Sequence, residues 1–233
     1  MGNGIYVAMT AATARTRELD VVADKLANTS TPGFMVDESS FQTFNGPDNA
    51  QTLGYVAAVE GGLRSAGGVP SNTGRPLDVI PQPGTFMAVS LPDGTTGYTR
   101  HGALQVDNRG NVTAGSHPLL NARLSPVVVP AGEMPTITPD GAVMVGNRVV
   151  DQLGTFVLEG PLHRASTHAV TGAAAVPAPV TQLVVGALEM PRETTLDAAV
   201  RLVGVQRQFE NAMQAIQTYR RLDQAASELG RVR

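Results

Sequence analysis

The stretch that decides the fold is residues 5–34, IYVAMTAATARTRELDVVADKLANTSTPGF, which predicts a long helix followed by a Pro-Gly turn. Apolar or small residues recur in alternating steps of four and three along it, at Ile5, Met9, Ala12, Thr16, Leu19, Ala23 and Leu26. This spacing is the a/d seam of a coiled coil, and it is narrow because alanine and threonine bury little surface. We expect a helix of about 40 Å that needs a partner helix for stability.

The end of this helix is expected near Asn28. Thr31 is steered out of the α region because it precedes Pro32. Pro32 and Gly33 suit the centre of a type II turn, and Phe34 offers an apolar anchor after it. Taken alone, this pattern fits an ordinary N-terminal helix of a globular domain as well as a coiled-coil arm.

A second long helix is predicted from Thr195 to the C-terminus, with a similar seam. Its apolar positions are Leu202, Val205, Phe209, Ala212, Ile216 and Tyr219, and a slightly rotated apolar face continues through Leu222, Ala226 and Leu229. Two narrow-seamed helices at opposite ends of the chain favour a pair in which each is the partner of the other. The alternative is a terminal helix that only caps the core.

The residues between the helices predict two further regions. Residues 35–76 are rich in turn-forming residues, including 45–49, and are expected to be a connector with one short strand or helix near 54–60. Residues 77–189 contain short apolar or alternating segments separated by Gly, Asp, Asn and Pro, which predict a β-sandwich or barrel-like domain. Within it we expect a loose outer loop over 166–179 and a final strand over 182–189.

The predicted fold class is therefore α+β. Residues 1–34 and 190–233 form a helical domain in which the helices pair as a coiled-coil-like rod. Residues 35–76 connect it to an all-β middle domain, residues 77–189.

Composition excludes several functional classes. The 233 residues carry a net charge of −3 and show no basic cluster with aromatic interleaving, so nucleic-acid binding is not indicated. The chain has no cysteine, which excludes disulfides and thiolate metal sites. The first residues lack the features of a cleaved secretory signal. No apolar run reaches the roughly 18–20 residues of a membrane span, so membrane insertion is not expected.

Signals for enzymatic chemistry are weak. The sequence has no nucleophile elbow, P-loop, dinucleotide-binding glycine motif or H-E-x-x-H motif. His163 and His168 are not favoured as a metal site, and His101 is expected to be an exposed residue at a strand end. Turn roles are expected for Asp78, Asp93, Asp107 and Asp140, and an exposed or inter-subunit role for Arg201, Arg207, Arg220 and Arg221. We therefore predict a protein that is not an enzyme and needs no cofactor.

A family resemblance supports this interpretation. Leu26-Ala27-Asn28 followed by Thr31-Pro32-Gly33-Phe34 resembles the L-A-N-x-x-T-P-G-F signature of the bacterial flagellar axial proteins, which form the rod and hook. Further matching blocks are YVAM at 6–9, ELDVVA at 18–23, TGRPLDV at 73–79, YTRHG at 98–102, DNRG at 107–110, VGALE at 185–189 and QRQFE at 206–210. Within the family, the length and the first block most resemble the proximal-rod type.

The resemblance implies a structural subunit of the basal-body rod that polymerises helically through its terminal helices and transmits torque. It also implies contacts with other rod subunits and with the flagellar export apparatus, a place in the periplasm-spanning rod, and export without a cleaved signal. The residues expected to make assembly contacts are Ile5, Met9, Ala12, Leu19, Leu26, Asn28, Pro32, Gly33, Phe34, Leu202, Val205, Phe209, Met213, Ile216 and Leu229.

The sequence departs from the family pattern at three places. Met35 stands at the position after Gly-Phe, where the family often has a basic residue. Residues 80–87 stand in place of the family's usual stretch, which is rich in glycine and contains two phenylalanines. Residues 190–192 stand in place of the family's Ser-Asn-Val. Two alternatives remain open: a distal-rod or hook subunit of the same family, or an exported β-domain that binds or hydrolyses cell-wall glycan.

Overall fold

A computed structural model describes residues 2–44, 55–64, 67–130 and 132–231 of the chain. Helix α1 (Gly2–Ala27) and helix α2 (Thr195–Arg231) lie at the two ends, and the strands lie between them. The strands are β1 (Val36–Phe44), β2 (Tyr55–Arg64), β3 (Val69–Asn72), β4 (Val79–Pro81), β5 (Thr85–Ser90), β6 (Thr96–Thr99), β7 (Leu104–Val106), β8 (Val112–Ala114), β9 (His117–Pro118), β10 (Pro135–Ile137), β11 (Ala142–Val145), β12 (Arg148–Gln152), β13 (Thr155–Arg164), β14 (Val170–Pro177), β15 (Leu183–Val185) and β16 (Ala187–Met190). The predicted α+β class, with terminal helices and a β-rich middle, is confirmed.

The chain folds into two compact units. The first consists of residues 1–27, 37–61 and 193–233, and the second of residues 28–36 and 62–192. The segment that follows α1 thus belongs to the unit that holds most of the strands.

In the first unit, α1 packs against α2. The buried side chains of Ala8, Ala12 and Ile216 form the centre of this contact, and Phe209, Ala212 and Ala215 pack around it. Alanine at the contact lets the helix axes approach closely, because interaxial distance depends on the side chains between them.

The predicted seam of α1 is wrong at three of its positions. Met9, Thr16 and Ala23 are exposed. Ala8, Ala12 and Val22 are buried, so the buried face is rotated slightly from the predicted one. The alternating spacing of the sequence could not decide between these neighbouring faces, since small residues occupy both.

The expectation of one short element in the connector is also wrong. Strands β1 and β2 are nine and ten residues long and pair with each other as a two-stranded sheet. Pairing gives each segment backbone hydrogen-bond partners along one edge, which the turn-rich composition of this region did not indicate. The turn predicted over residues 45–49 lies outside the described residues.

The second unit contains a small closed barrel formed in the order β13-β14-β6-β5. The loose loop predicted over residues 166–179 is wrong, because most of that stretch forms β14. Strand β14 pairs antiparallel with β13 along its length, from Phe156 opposite Pro177 to Arg164 opposite Val170. It also bridges to β6 through Val170 and Tyr98, so two neighbours fix a segment whose sequence has little β pattern of its own.

Small sheets surround the barrel, in the orders β10-β11-β12, β7-β8-β9, β15-β4 and β16-β3. The single strand predicted over residues 182–189 is divided in two at Gly186, whose φ is +79°. A left-handed residue interrupts the pleat, and β15 and β16 therefore pair with different partners.

The core of this unit has two clusters. The larger one is centred on fully buried side chains of Val79, Leu104, Leu119 and Leu153. The second cluster lines the barrel and consists of Met35, Leu63, Phe86, Ala88, Tyr98, Leu120, Phe156 and Val170. Neither α1 nor α2, over the residues the structure describes, combines the length and apolarity that a membrane crossing requires.

Candidate functional site

The Thr-Pro-Gly-Phe motif lies in a segment, Asn28–Val36, that we name the strap. Its turn is closed by the amide of Phe34, which donates to the carbonyl of Thr31 at 3.4 Å. Gly33 has a φ of +65°, as the third position of a type II turn requires. The amide of Thr31 donates to the carbonyl of Asn28 at 3.0 Å. The predicted turn is confirmed.

The strap is held against the second unit through its backbone. The amide of Gly33 donates to the carbonyl of Glu189 at 2.8 Å. A Cβ on Gly33 would lie 2.2 Å from the carbonyl oxygen of Arg100, closer than any real contact. Glycine is therefore needed at this position both for the turn and for the close approach of two backbones.

His101 makes a second backbone contact with the strap. Its Nδ1 lies 3.0 Å from the carbonyl oxygen of Pro32. A carbonyl only accepts hydrogen bonds, so Nδ1 carries the proton and donates it. The expectation that His101 is exposed is wrong, since the residue is 8% exposed. His101 directly follows Arg100, and the strap at Gly33 lies against the backbone of both residues.

Met35 is the apolar anchor of the strap. Its side chain is 5% exposed and belongs to the barrel cluster, whereas Phe34 remains partly exposed. Arg164 holds the same part of the strap, because its Nη2 donates to the carbonyl of Met35 at 2.8 Å. The Arg164 guanidinium also lies over the Phe34 ring, 5.0 Å from its centre, as in cation–π contacts.

Below the strap lies a buried ion pair between Arg100 and Glu189. Arg100 Nη2 and Nε lie 2.6 and 2.8 Å from Glu189 Oε2. Arg100 also donates to the carbonyls of Pro81, Gln82 and Thr85, which gives a partner to each of its five N–H groups. Glu189 Oε1 accepts the amide of Gly68 at 2.7 Å. The pair thus joins β16, β4, β5 and the residue after β6.

These partners of the strap were not predicted from the sequence as site residues. Arg100 and His101 lie in the YTRHG block, and Glu189 ends the VGALE block, so the resemblance marked both stretches without giving them a role. In the sequence, Met35 stands out only as a departure from the family pattern. The contacts join residues far apart in the chain, and one sequence carries no signal for such pairings.

The histidines lie differently from the expectation that paired His163 with His168. The rings of His101 and His168 stack with their centres 4.5 Å apart. His117 lies near them, with its Nε2 2.8 Å from Ser166 Oγ, whereas His163 is exposed on β13. Burial lowers the pKa of both His101 and His168. Among the described residues, no group of three ligands is placed to hold a metal ion.

The turn roles expected for two of the aspartates are confirmed. Asp93 accepts the amide and hydroxyl of Thr95, and Asp107 accepts the amides of Arg109 and Asn111. The Thr95 hydroxyl is the largest influence that lowers the pKa of Asp93. For Asp107 it is the side-chain amide of Asn111, which donates to Oδ2 at 2.8 Å and lowers the pKa of that carboxyl group. Thr138 likewise lowers the pKa of Asp140 through a side-chain hydrogen bond.

Asp78 differs from the other aspartates because it is fully buried. Its Oδ2 accepts the Thr73 hydroxyl at 2.6 Å, and its Oδ1 has no hydrogen-bond partner. Asp78 therefore joins the Thr73 loop to the core.

The helices carry the other predicted contact residues. Val205 and Ile216 are buried and Phe209 is half-buried, whereas Met9 and Met213 are exposed. Ala12 belongs to the α1–α2 contact, and Ile5, Leu19, Leu26 and Leu202 are half-buried. Leu229 lies in α2, and its side chain is outside the described part. The arginines Arg201, Arg207, Arg220 and Arg221 are exposed.

Helix α2 also has an exposed apolar stripe that its a/d spacing does not indicate. Leu196, Val200 and Val203 are 73%, 65% and 51% exposed. At about 100° per residue, these three lie within one narrow sector of the helix. The buried Ala198, Val205 and Ile216 lie about half a turn away, so α2 has apolar side chains on two opposite faces.

Comparison with known proteins finds flagellar family models that match the N-terminal helix and part of the β-rich second unit. The chain matches the model of the flagella basal body rod protein family over residues 5–34. It matches that of the flagellar hook protein FlgE/F/G D1 domain over residues 83–145. It is 31% identical to the flagellar basal-body rod protein FlgF of Escherichia coli, with 93% of each chain covered.

The chain belongs to the FlgF family of flagellar basal-body rod proteins. The FlgF proteins of Salmonella typhimurium and Mesorhizobium japonicum are 30% and 28% identical to it, over 93% and 99% of each chain. The predicted family and the predicted structural role in the flagellar rod are thus confirmed. The alternatives, a distal-rod or hook subunit and an exported β-domain that binds or hydrolyses cell-wall glycan, are not favoured. In this rod protein, the family match over 5–34 spans most of α1 and most of the strap, and the D1 match begins just before β5.

Proposed function

We propose that this rod protein assembles with copies of itself and with neighbouring rod subunits through the exposed faces of α1 and α2. The observation that carries the proposal is the apolar stripe of Leu196, Val200 and Val203 on the side of α2 opposite its buried face. A helix that is apolar on two sides has more apolar surface than one partner helix covers. The stripe is therefore available for a second helix.

The arrangement suits a rod that transmits torque. In the proposed assembly the terminal helices, within residues 1–34 and 190–233, pair as a coiled-coil-like inner layer. Residues 35–76 connect it to an outer layer formed by residues 77–189. Lateral helix contacts between many subunits would give stiffness, since each contact repeats by symmetry along the polymer.

The proposed contact residues on α1 and α2 are those already exposed or half-buried in the single chain. They include Ile5, Met9, Leu19, Leu26, Leu202, Phe209 and Met213. The strap residues have a different role in this proposal from the helix contacts. They fix the conformation of the segment that follows α1, and they are Asn28, Pro32, Gly33 and Phe34.

The remaining parts of the proposal concern delivery and chemistry. The protein acts as a building block without an enzymatic reaction or a cofactor, and it belongs to the proximal part of the rod. It reaches the periplasm-spanning rod through the flagellar export apparatus, without a cleaved signal. The family to which it belongs supports this route.

Replacing the stripe tests the proposal. The triple variant Leu196→Gln, Val200→Gln, Val203→Gln is expected to lose incorporation into basal bodies at least tenfold and to abolish swimming. Because all three side chains are exposed, the stability of the free chain should change by less than about 1 kcal/mol. The measurements are the amount of the protein in isolated basal bodies, motility, and thermal unfolding of the purified chain.

The matched control is Gln206→Asn, Gln208→Asn, which changes two exposed polar residues of the same helix that lie about a quarter turn to either side of the stripe. This variant is expected to assemble normally. Normal assembly of the triple variant, with normal motility, would show that the stripe is not an assembly surface.

A further inference from the structure

We propose that His101 and His168 form a proton-sensitive latch that holds the strap on the second unit while both rings are neutral and releases it when either ring is protonated. This inference goes beyond rod assembly and does not depend on it. It rests on the contact of His101 with the strap and on the His168 ring, whose centre lies 4.5 Å from that of His101.

The first step is the tautomer of His101. Its Nδ1 donates to the Pro32 carbonyl at 3.0 Å, which leaves Nε2 without a proton in the neutral ring. A second proton must therefore bind at Nε2. The resulting cation would lie in a buried ring stacked on another imidazole, 4.5 Å between ring centres.

The second step is the fixed position of His168. Its carbonyl accepts the hydroxyl of Thr99, and its amide lies 3.3 Å from Ser166 Oγ. On another side, a Cβ at Gly115 would lie 2.7 Å from the ring, so the backbone there is in close contact with it. His168 cannot move far from His101 without breaking these contacts.

The third step is the lack of compensation for a charge on His168. Its Nδ1 is buried and has no hydrogen-bond partner. Buried polar atoms without a partner are costly, and a buried charge without one is more so. Protonation of His168 is therefore disfavoured in this arrangement, in which its ring lies against that of His101.

The other groups near the two imidazoles shift the pKa values of these rings in different directions. The Pro32 carbonyl, and after it the Asp78 carboxylate, favour the charged form of His101, whereas His101 and His117 both disfavour the charged form of His168. The Arg100 guanidinium is directed to Glu189, and that of Arg164 lies over Phe34. Burial is the largest influence on both rings and lowers both pKa values.

The direction of the pH dependence follows from these signs. A histidine whose folded pKa is lowered binds fewer protons in the docked state than in the released state. The latch is therefore fully closed above the ordinary pKa of about 6.5, and it weakens as pH falls below that value. The lowered pKa values of Asp93, Asp107 and Asp140 act in a separate window, below their ordinary value of 3.8.

Hydrogen exchange on the full chain tests the latch through the amide of Gly33, which bonds to Glu189. After correction for intrinsic exchange, its protection factor is expected to fall at least tenfold between pH 7.5 and pH 5.5, while amides of β5 change less than twofold. An unchanged protection factor at Gly33 would overturn the proposal.

Variants identify the groups that titrate. His101→Asn keeps a donor toward Pro32, and His168→Phe keeps a flat ring, so the double variant should hold the strap at pH 7.5 and lose the pH dependence. His163→Gln changes an exposed histidine of the same unit and should behave as the unaltered protein. A double variant that retains the tenfold fall, or a His163 variant that loses it, contradicts the latch.

If the double variant does not hold the strap at pH 7.5, NMR titration of the unaltered protein decides the matter. The imidazoles of His101 and His168 are expected to titrate below pH 6.5. Titration of both rings at or above 6.5 would overturn the proposal.

Discussion

Glu189→Gln is expected to lower the free energy of unfolding of the second unit by about 3–5 kcal/mol, because it leaves the buried Arg100 guanidinium without its anion. Arg100 and Glu189 side chains are both almost fully buried, so water cannot replace the lost charge. For a chain of this size the change corresponds to a drop of roughly 10 °C in Tm. Thermal and urea unfolding, followed by circular dichroism, would measure it.

The control for this variant is Glu159→Gln, which neutralises an exposed acid on β13 and should change stability by no more than about 0.5 kcal/mol. The double variant Arg100→Met, Glu189→Gln should cost less than the sum of the single changes, since residues in one network are coupled by about 0.5–3 kcal/mol. It should not recover full stability, because the carbonyls of Pro81, Gln82 and Thr85 would lose their donor. Equal stability of the Glu189 and Glu159 variants would contradict the role of the pair.

Gly33→Ala is expected to be the second most damaging change. The substitution meets two costs, a φ of +65° and a Cβ 2.2 Å from the Arg100 carbonyl oxygen. A left-handed conformation costs a non-glycine residue about 1–2 kcal/mol, and overpacking against a fixed neighbour adds about 1–3 kcal/mol. The neighbour here is backbone, so the strap must shift and the amide at position 33 should lose its protection from exchange.

Gly74→Ala is the matched control, because Gly74 has a φ of +70° and open space where a Cβ would lie. It should cost only the conformational part, about 1–2 kcal/mol. The difference between the two variants measures the close approach of the strap to Arg100. If both variants lose the same stability, the contact at Gly33 does not contribute.

The chain's elements vary in how far local sequence predicted them. The two terminal helices were predictable because apolar spacing extends over many turns of each and a Pro-Gly turn ends the first. The type II turn was predictable because proline at its second position and glycine at its third satisfy local backbone requirements. Strand β14 was not, because its sequence is mostly alanine, valine and proline, and pairing with β13 and β6 decides its conformation.

The sequence by itself determined the α+β class, the family and the structural role, because these depend on long periodic segments and on local motifs. Only the tertiary structure decided what the Thr-Pro-Gly-Phe motif contacts. Gly33 meets Glu189 and Arg100, His101 meets Pro32, and Met35 enters the barrel core across separations of many residues. Such contacts depend on how distant strands pair, and the energy that selects one pairing comes from burial and hydrogen bonding of the whole unit.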